Sequence, residues 1–185
     1  MNRRPARVSG VTLVDLDEGQ AGELFILIER NRAYLRKWLP WLDRTRSLED
    51  SLQYLRAVRK RVLLYRELHN GILWRGRLVG VIGTHSIDPG NRRTSLGYWL
   101  DEQQQGQGLV TESVHQMLDR LFDEHHMHRI VIQCAEGNTA SRAIPERLGF
   151  QREGLLRQNE WLYDHWVDHV SYAMLAPEWE SLRPG

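Results

Sequence analysis

Residues 105–108, Gln-Gly-Gln-Gly, stand directly before an apolar-periodic run that opens at Leu109. The chemistry such a junction offers is anion binding. The first turn of a helix leaves four backbone N–H groups without intrahelical partners, and the aligned peptide dipoles place roughly half a positive charge there. Glycines at 106 and 108 let phosphate oxygens approach those amides with no Cβ in the way. Glycines before helices are also plain loop punctuation, so on residue types alone the two readings stand side by side. Two phosphate motifs are excluded. The chain has no Gly-Lys-Ser/Thr here, and Gly106 and Gly108 with Thr111 in the third slot do not make the dinucleotide fingerprint.

Other residue types invite chemistry and are better read as structure. Cys134 alternates in phase with Ile130 and Ile132, the pattern of a buried strand residue, and no His-Asp partner pattern supports a covalent route through it. His125, His126 and His128 cluster before that strand. Without a cysteine or carboxylate to complete a ligand set, they suit the negative end of a helix, and no metal is expected.

The elements that must position the glycine loop are legible from periodicity. A short strand over 11–16 precedes a helix with Leu24, Phe25 and Ile28 on one face, opened by Asp17-Glu18. Pro40 interrupts the aromatic stretch 34–47, and Ser47, Glu49 and Asp50 open a second helix carrying Leu52, Leu55, Val58 and Val62 up to about Tyr65. Runs 68–74, 78–85 and 95–100, separated by turn residues, predict an antiparallel meander. Behind the glycine loop, Val110, Val114, Met117, Leu118 and Leu121 mark a helix face, and the nearly all-apolar 129–135 reads as a buried strand, so strand, helix and strand form a parallel crossover. A helix over 139–148 ends at Gly149, and strands near 150–156 and 169–175 close the chain.

Composition bounds the rest. At 185 residues, one α/β domain over 1–185 with a core about 10–178 is expected, burying roughly 70% of the surface of its unfolded chain. Twenty-five basic against 24 acidic residues leave a net charge of +1, so no global field draws the protein to nucleic acid or membrane. One cysteine, no apolar run of membrane-spanning length and no secretion signal in Met1 to Gly10 predict a cytoplasmic protein.

Taken in order, "GYWLDE" (97–102), "QGQGLVTE" (105–112) and "NTASRAIPERLGF" (138–150) resemble the coenzyme A signature of the GCN5-related N-acetyltransferases (GNAT). "NRAYLRKWLPWLD" (31–43) and "EGLLRQNEWLYDHWVDHVSYAML" (153–175) are similar to its RimL/RimJ ribosomal-protein branch. The resemblance covers nearly the whole chain. It implies a mixed, mostly antiparallel sheet of six to seven strands with flanking helices and two splayed parallel central strands, and acetyl-CoA as co-substrate. Gln105, Gly106, Gln107, Gly108, Leu109, Val110 and Thr111 would hold the pyrophosphate, with Val110 departing from a small family position. A backbone N–H near Trp99 or Leu100 would face the thioester, and Asn138 would help bind the cofactor. Ser141 would donate to the leaving sulfur, against the plainer reading of a helix-start cap, and Pro145 is expected to kink that helix. Glu160 would be the general base, against a solvated carboxylate paired with Arg157. Trp38 and Trp41 would wall the acceptor pocket as well as plug the core beneath their loop, and His85 would face the substrate channel. The acceptor implied is a protein N-terminal amine, with a small-molecule or aminoacyl amine as alternative and a catalytically inactive coenzyme A-binding module as the third reading. The family often forms homodimers.

Overall fold

The computed structural model describes residues 8–64 and 67–182. Seven strands, β1 (Val11–Asp15), β2 (His69–Trp74), β3 (Arg77–Asp88), β4 (Arg93–Leu100), β5 (Arg129–Ala135), β6 (Gln151–Leu162) and β7 (His165–Leu175), form one sheet in the order β1-β2-β3-β4-β5-β7-β6. Every neighbouring pair is antiparallel except β4 and β5. That parallel pair is joined through α3 (Leu109–Asp119), as a parallel connection must be.

Each face of the sheet buries its own helices. On one side α1 (Ala21–Leu35) presents Leu24, Leu27, Ile28 and Leu35, which pack with Leu55 of α2 (Leu48–Leu63) against Leu78 and Val81. On the other, α3 presents Val114, Met117 and Leu118 to Ile82, Leu96, Ile130 and Ile132. Each such leucine, fully buried, contributes about 1.5–3 kcal/mol relative to leaving it in water. Period-two alternation in β3 and β4 assigns the faces: Ile82, Leu96, Tyr98 and Leu100 belong to the α3 side, Val81 and Trp99 to the α1/α2 side.

Local signals behave as their chemistry requires. Ser47 and Asp50 form a reciprocal capping box at α2, and Gly149, at φ +83°, ends α4 (Thr139–Leu148) in the left-handed conformation. The expected limit of α2 near Tyr65 lies outside the described residues.

Several expectations need correction. Phe25 is only half-buried, because Leu27 takes the core-facing position with Leu24 and Ile28. Leu109 rather than Val110 is the fully buried residue at the start of α3. The last two strands are longer than predicted and form one hairpin, β6–β7, because a bulge between Leu156 and Glu160 breaks the alternation by which a strand is recognised. Pro145 lies inside α4 without ending it.

Candidate active site

The glycine loop is pinned from α1. Asn31, buried, accepts a hydrogen bond from the Glu102 amide at 2.9 Å, and the Arg30 guanidinium pairs with the buried Asp101 carboxylate. Gln105 donates to the Tyr34 hydroxyl. A 3₁₀ turn at Glu102–Gln104 then delivers the chain to Gly106 and Gly108, both left-handed at φ +75° and +76°. Gly108 is the N-cap of α3, so among the described residues no side chain caps the helix, and a Cβ at Gly106 would meet nothing within 4 Å. This helix mouth is open and electropositive, the geometry a diphosphate fits. Arg147, from α4, adds a cation: it donates to Thr111 Oγ1 at 2.9 Å and lines the same cleft. No spacing rule in the sequence pairs residues 111 and 147; only the packing of α4 beside α3 brings them together.

Strands β4 and β5 pair only over Arg93–Ser95 and Arg129–Val131 and then diverge. The register decides which β4 amides face the gap. Asp101 N–H donates to Val79 O, and Trp99 stands opposite Val81, so by antiparallel alternation the Trp99 N–H is spent on β3. The amides of Tyr98 and Leu100 point the other way, toward the splay. Of the two donors expected near the thioester, Leu100 is therefore the available one, joined by Tyr98.

Beside this gap the Ser141 hydroxyl donates to Cys134 Sγ at 3.2 Å and lies 3.5 Å from the Tyr98 hydroxyl. Asn138, not Ser141, is the helix cap: its side-chain oxygen accepts from the Ser141 amide at 3.1 Å. The helix-start reading thus belongs to Asn138 and leaves the Ser141 side chain free to face the cleft. Pro145 has no N–H to offer the Ser141 carbonyl, which is left without its helical partner. The Tyr98 hydroxyl donates to that carbonyl at 3.1 Å, so α4 tolerates its proline. Burial raises the Tyr98 phenol well above its ordinary value, and burial also raises the Cys134 thiol, keeping both protonated near neutrality. Tyr98 could have been picked out by its alternation with Leu96 and Leu100.

On the α1/α2 face, Trp38 and Trp41 are half-buried and line the cleft. Trp41 also packs on Trp99, ring centroids 6.4 Å apart, and Trp38 reaches toward Gly137. The wall is latched from the hairpin by Tyr163, whose hydroxyl donates to Leu39 O at 2.6 Å while the Arg36 guanidinium lies 3.8 Å over its ring. His85 lines the same cleft over Gly97, where a Cβ would stand 2.5 Å from Nε2. His69 lies likewise over Gly83, held by the Tyr54 hydroxyl at 3.2 Å and Glu67 at 3.3 Å. Two strand-interior glycines therefore clear the floor for two imidazoles, and such glycines are a signal of close approach. Burial depresses both histidines, His69 to about 4, so they are neutral at physiological pH.

Glu160 also lines the cleft. Its partner is His169 Nε2 at 3.5 Å, not the expected Arg157, because the bulge before it turns its side chain inward. The neighbouring Trp161 is exposed and stacks edge-on with Trp166, so it does not wall in the carboxylate. Among the described residues, no group of three or more His, Cys, Asp or Glu side chains could hold a metal ion.

One continuous cleft of about 1320 Å³ is thus lined by the α3 mouth, the Ser141 group and the acceptor-face residues together. A parallel pair splayed beside a glycine-opened helix mouth forms a cleft that a diphosphate with a long extended arm fits. The model of the acetyltransferase (GNAT) domain matches residues 11–151, and the chain belongs to that family, in its RimL/RimJ-type branch. It is 32% identical to the ribosomal-protein-serine acetyltransferase of Escherichia coli (strain K12) over 166 residues, 85% of this chain and 88% of that one. The structure of RimL, ribosomal L7/L12 alpha-N-protein acetyltransferase, in complex with coenzyme A as a cysteine disulfide superposes with a TM-score of 0.89 at 27% identity, covering 94% of this chain and 98% of that one. The microcin C7 self-immunity acetyltransferase MccE, in complex with acetyl-CoA and AMP, gives 0.86 at 26%, with the same coverage. The chain is an acyltransferase of the N-acetyltransferase type.

Proposed function

We propose that this enzyme transfers acetyl from acetyl-CoA to the N-terminal α-amine of a ribosomal or other protein, by direct attack in a ternary complex. The observation that carries this reading is the continuity of the cleft, from the uncapped mouth of α3 through the β4–β5 gap to an acceptor face closed by Trp38, Trp41 and the Tyr163 latch. Similarity to RimL and to the Escherichia coli serine acetyltransferase supports a protein terminus as acceptor. Acetyl-CoA supplies the thioester; everything else is done by the chain. Backbone amides of 106–111, with Arg147 beside them, hold the diphosphate. Gln105, Asn138 and the Leu100 amide line the path toward the gap, and Leu100 N–H stabilises charge on the carbonyl oxygen as the amine adds. Ser141 gives its proton to the departing sulfur, its hydroxyl placed beside Cys134 and Tyr98. RimL carries coenzyme A bonded to a cysteine, which supports a thiol end lying near Cys134 and Ser141 here.

Glu160 takes the proton from the incoming amine. An α-amine, with an unperturbed pKa of about 7.7–8.0, needs only a modest base. His85, neutral and facing the cleft, accepts a hydrogen bond from the acceptor without repelling its positive charge. The enzyme works in the cytoplasm, where the lone Cys134 stays reduced.

The second reading, a small-molecule or aminoacyl amine as acceptor, is favoured by the likeness to MccE. Thiol release measured with peptides bearing a free N-terminus, with the same peptides blocked, and with small amines separates the two. Turnover on free-terminus peptides is expected. Turnover confined to small amines installs the second reading, and tight acetyl-CoA binding without turnover on any acceptor makes the chain a coenzyme A-binding module.

A further inference from the structure

The β6–β7 hairpin carries an irregularity that regular pairing would not need. Leu156 stands opposite His169 and Glu160 opposite Val167, so β6 advances four residues where β7 advances two. Gln158 absorbs the excess in a left-handed conformation at φ +49°, and its amide is held by Asp168 Oδ1 at 2.7 Å. Non-glycine residues adopt that conformation at a cost of roughly 1–2 kcal/mol, so the bulge is held against a local preference. Its product is a triad on the cleft side: Asn159 Nδ2 lies 3.1 Å from His169 Nδ1, and His169 Nε2 lies 3.5 Å from Glu160 Oε2. The Asn159 amide donates to Nδ1, which leaves the ring proton on Nε2, facing the carboxylate. His169 itself is only 12% exposed at its side chain, against 33% for Glu160.

We propose that His169 is a positioning residue for Glu160. Its Nε2–H engages one carboxylate oxygen and turns the other toward the acceptor amine, with Asn159 fixing the tautomer and the bulge setting the spacing. A glutamate on a hairpin rim otherwise has freedom to swing into solvent, and a misplacement of about 1 Å in a reacting group is enough to cost about a hundredfold in rate. The assignment rests on Glu160 being the base.

The test separates the two ideas by variant geometry. In His169→Gln the side-chain amide reaches the place of Nε2 and can still donate to Glu160; in His169→Asn it reaches only the place of Nδ1. Steady-state kinetics with a free-terminus peptide should give His169→Asn a kcat lowered about tenfold with KM for acetyl-CoA unchanged, and His169→Gln a kcat within about threefold of the parent. In a Glu160→Gln background, His169→Asn should have no further effect. Equal losses in the Asn and Gln variants, a parental kcat in His169→Asn, or an undiminished loss in the Glu160→Gln background each overturn the role of His169 while leaving Glu160 as base if Glu160→Gln alone is impaired. A parental kcat in Glu160→Gln removes the base assignment and this inference with it. Melting temperatures of all four proteins, together with acetyl-CoA KM, distinguish these losses from misfolding.

Discussion

At the scale of single residues, the proposed reaction calls on a hydroxyl and a carboxylate that different elements present to one cleft. Ser141 lies beside Cys134 and Tyr98, whereas Glu160 is presented by the far hairpin. Each makes a distinct prediction. Glu160→Gln should lower kcat at neutral pH by about a hundredfold or more while leaving acetyl-CoA affinity unchanged, read by thiol release and by calorimetry. Ser141→Ala should lower kcat by a factor on the order of ten to a hundred, less than the carboxylate variant, because water can deliver a proton to a good leaving thiolate. Cys134→Ala should retain activity. Cys134 is 3% exposed, its thiol is held protonated by burial, and it receives the Ser141 proton in a hydrogen bond, an environment that disfavours a thiolate nucleophile.

Elements decide how those residues are aimed, and α4 is the clearest case. Pro145 orphans the Ser141 carbonyl one turn before it, and the Tyr98 hydroxyl from β4 replaces the lost donor. Tyr98→Phe should therefore destabilise the protein by about 1–2 kcal/mol, the cost of leaving a partly buried carbonyl unpaired. Pro145→Ala restores a backbone N–H at that position, so the loss should shrink in the Tyr98→Phe, Pro145→Ala double variant. Urea denaturation of the four proteins measures the coupling, and additive effects would mean that the proline and the phenol do not share the carbonyl. Element α3 supplies the second case. Gly108→Val places a β-branched residue at φ +76° and a side chain over the anion site, with Val8 already 3.2 Å from the Cβ position. Acetyl-CoA affinity should fall at least tenfold in calorimetry, whereas Gly22→Ala, where a Cβ on the open face of α1 meets nothing within 4 Å, should leave it unchanged.

Across the whole molecule, one cleft runs along the sheet, and where β2 meets α2 it holds the His69 imidazole, whose side chain is 10% exposed. His69 is depressed to about 4 by burial, while an unfolded chain binds that proton at about 6.5. Above pH 6.5 neither state is protonated and the group contributes nothing to the pH slope. As pH falls from about 6.5 toward 4, the unfolded state takes up the proton first, so folding stability declines, by on the order of 3 kcal/mol in full. Burial lowers His85 in the same direction. Urea midpoints at pH 7 and pH 5 should differ less in His69→Gln than in the parent, and an equal difference would mean that His69 is not the titrating group.

The sequence by itself determined the local pieces. It specified the helix start at Ser47, the α4 stop at Gly149, Leu24 and Ile28 on the buried face of α1, Val114, Met117 and Leu118 on that of α3, the buried strand 129–135 and the glycine mouth, because periodicity, caps and turn residues act within a few positions of where they are written. The ordered motifs also carried the resemblance to the acetyltransferases, the family to which the chain belongs. Only the tertiary structure decided that Arg147 meets Thr111, that Tyr98 serves the carbonyl Pro145 leaves bare, that the Trp99 amide is spent and the Leu100 amide is free, and that Glu160 pairs with His169 rather than Arg157. Those contacts join residues far apart in the chain through strand register and one bulge, and register is fixed by how whole strands pack against one another, which no short window of residues encodes.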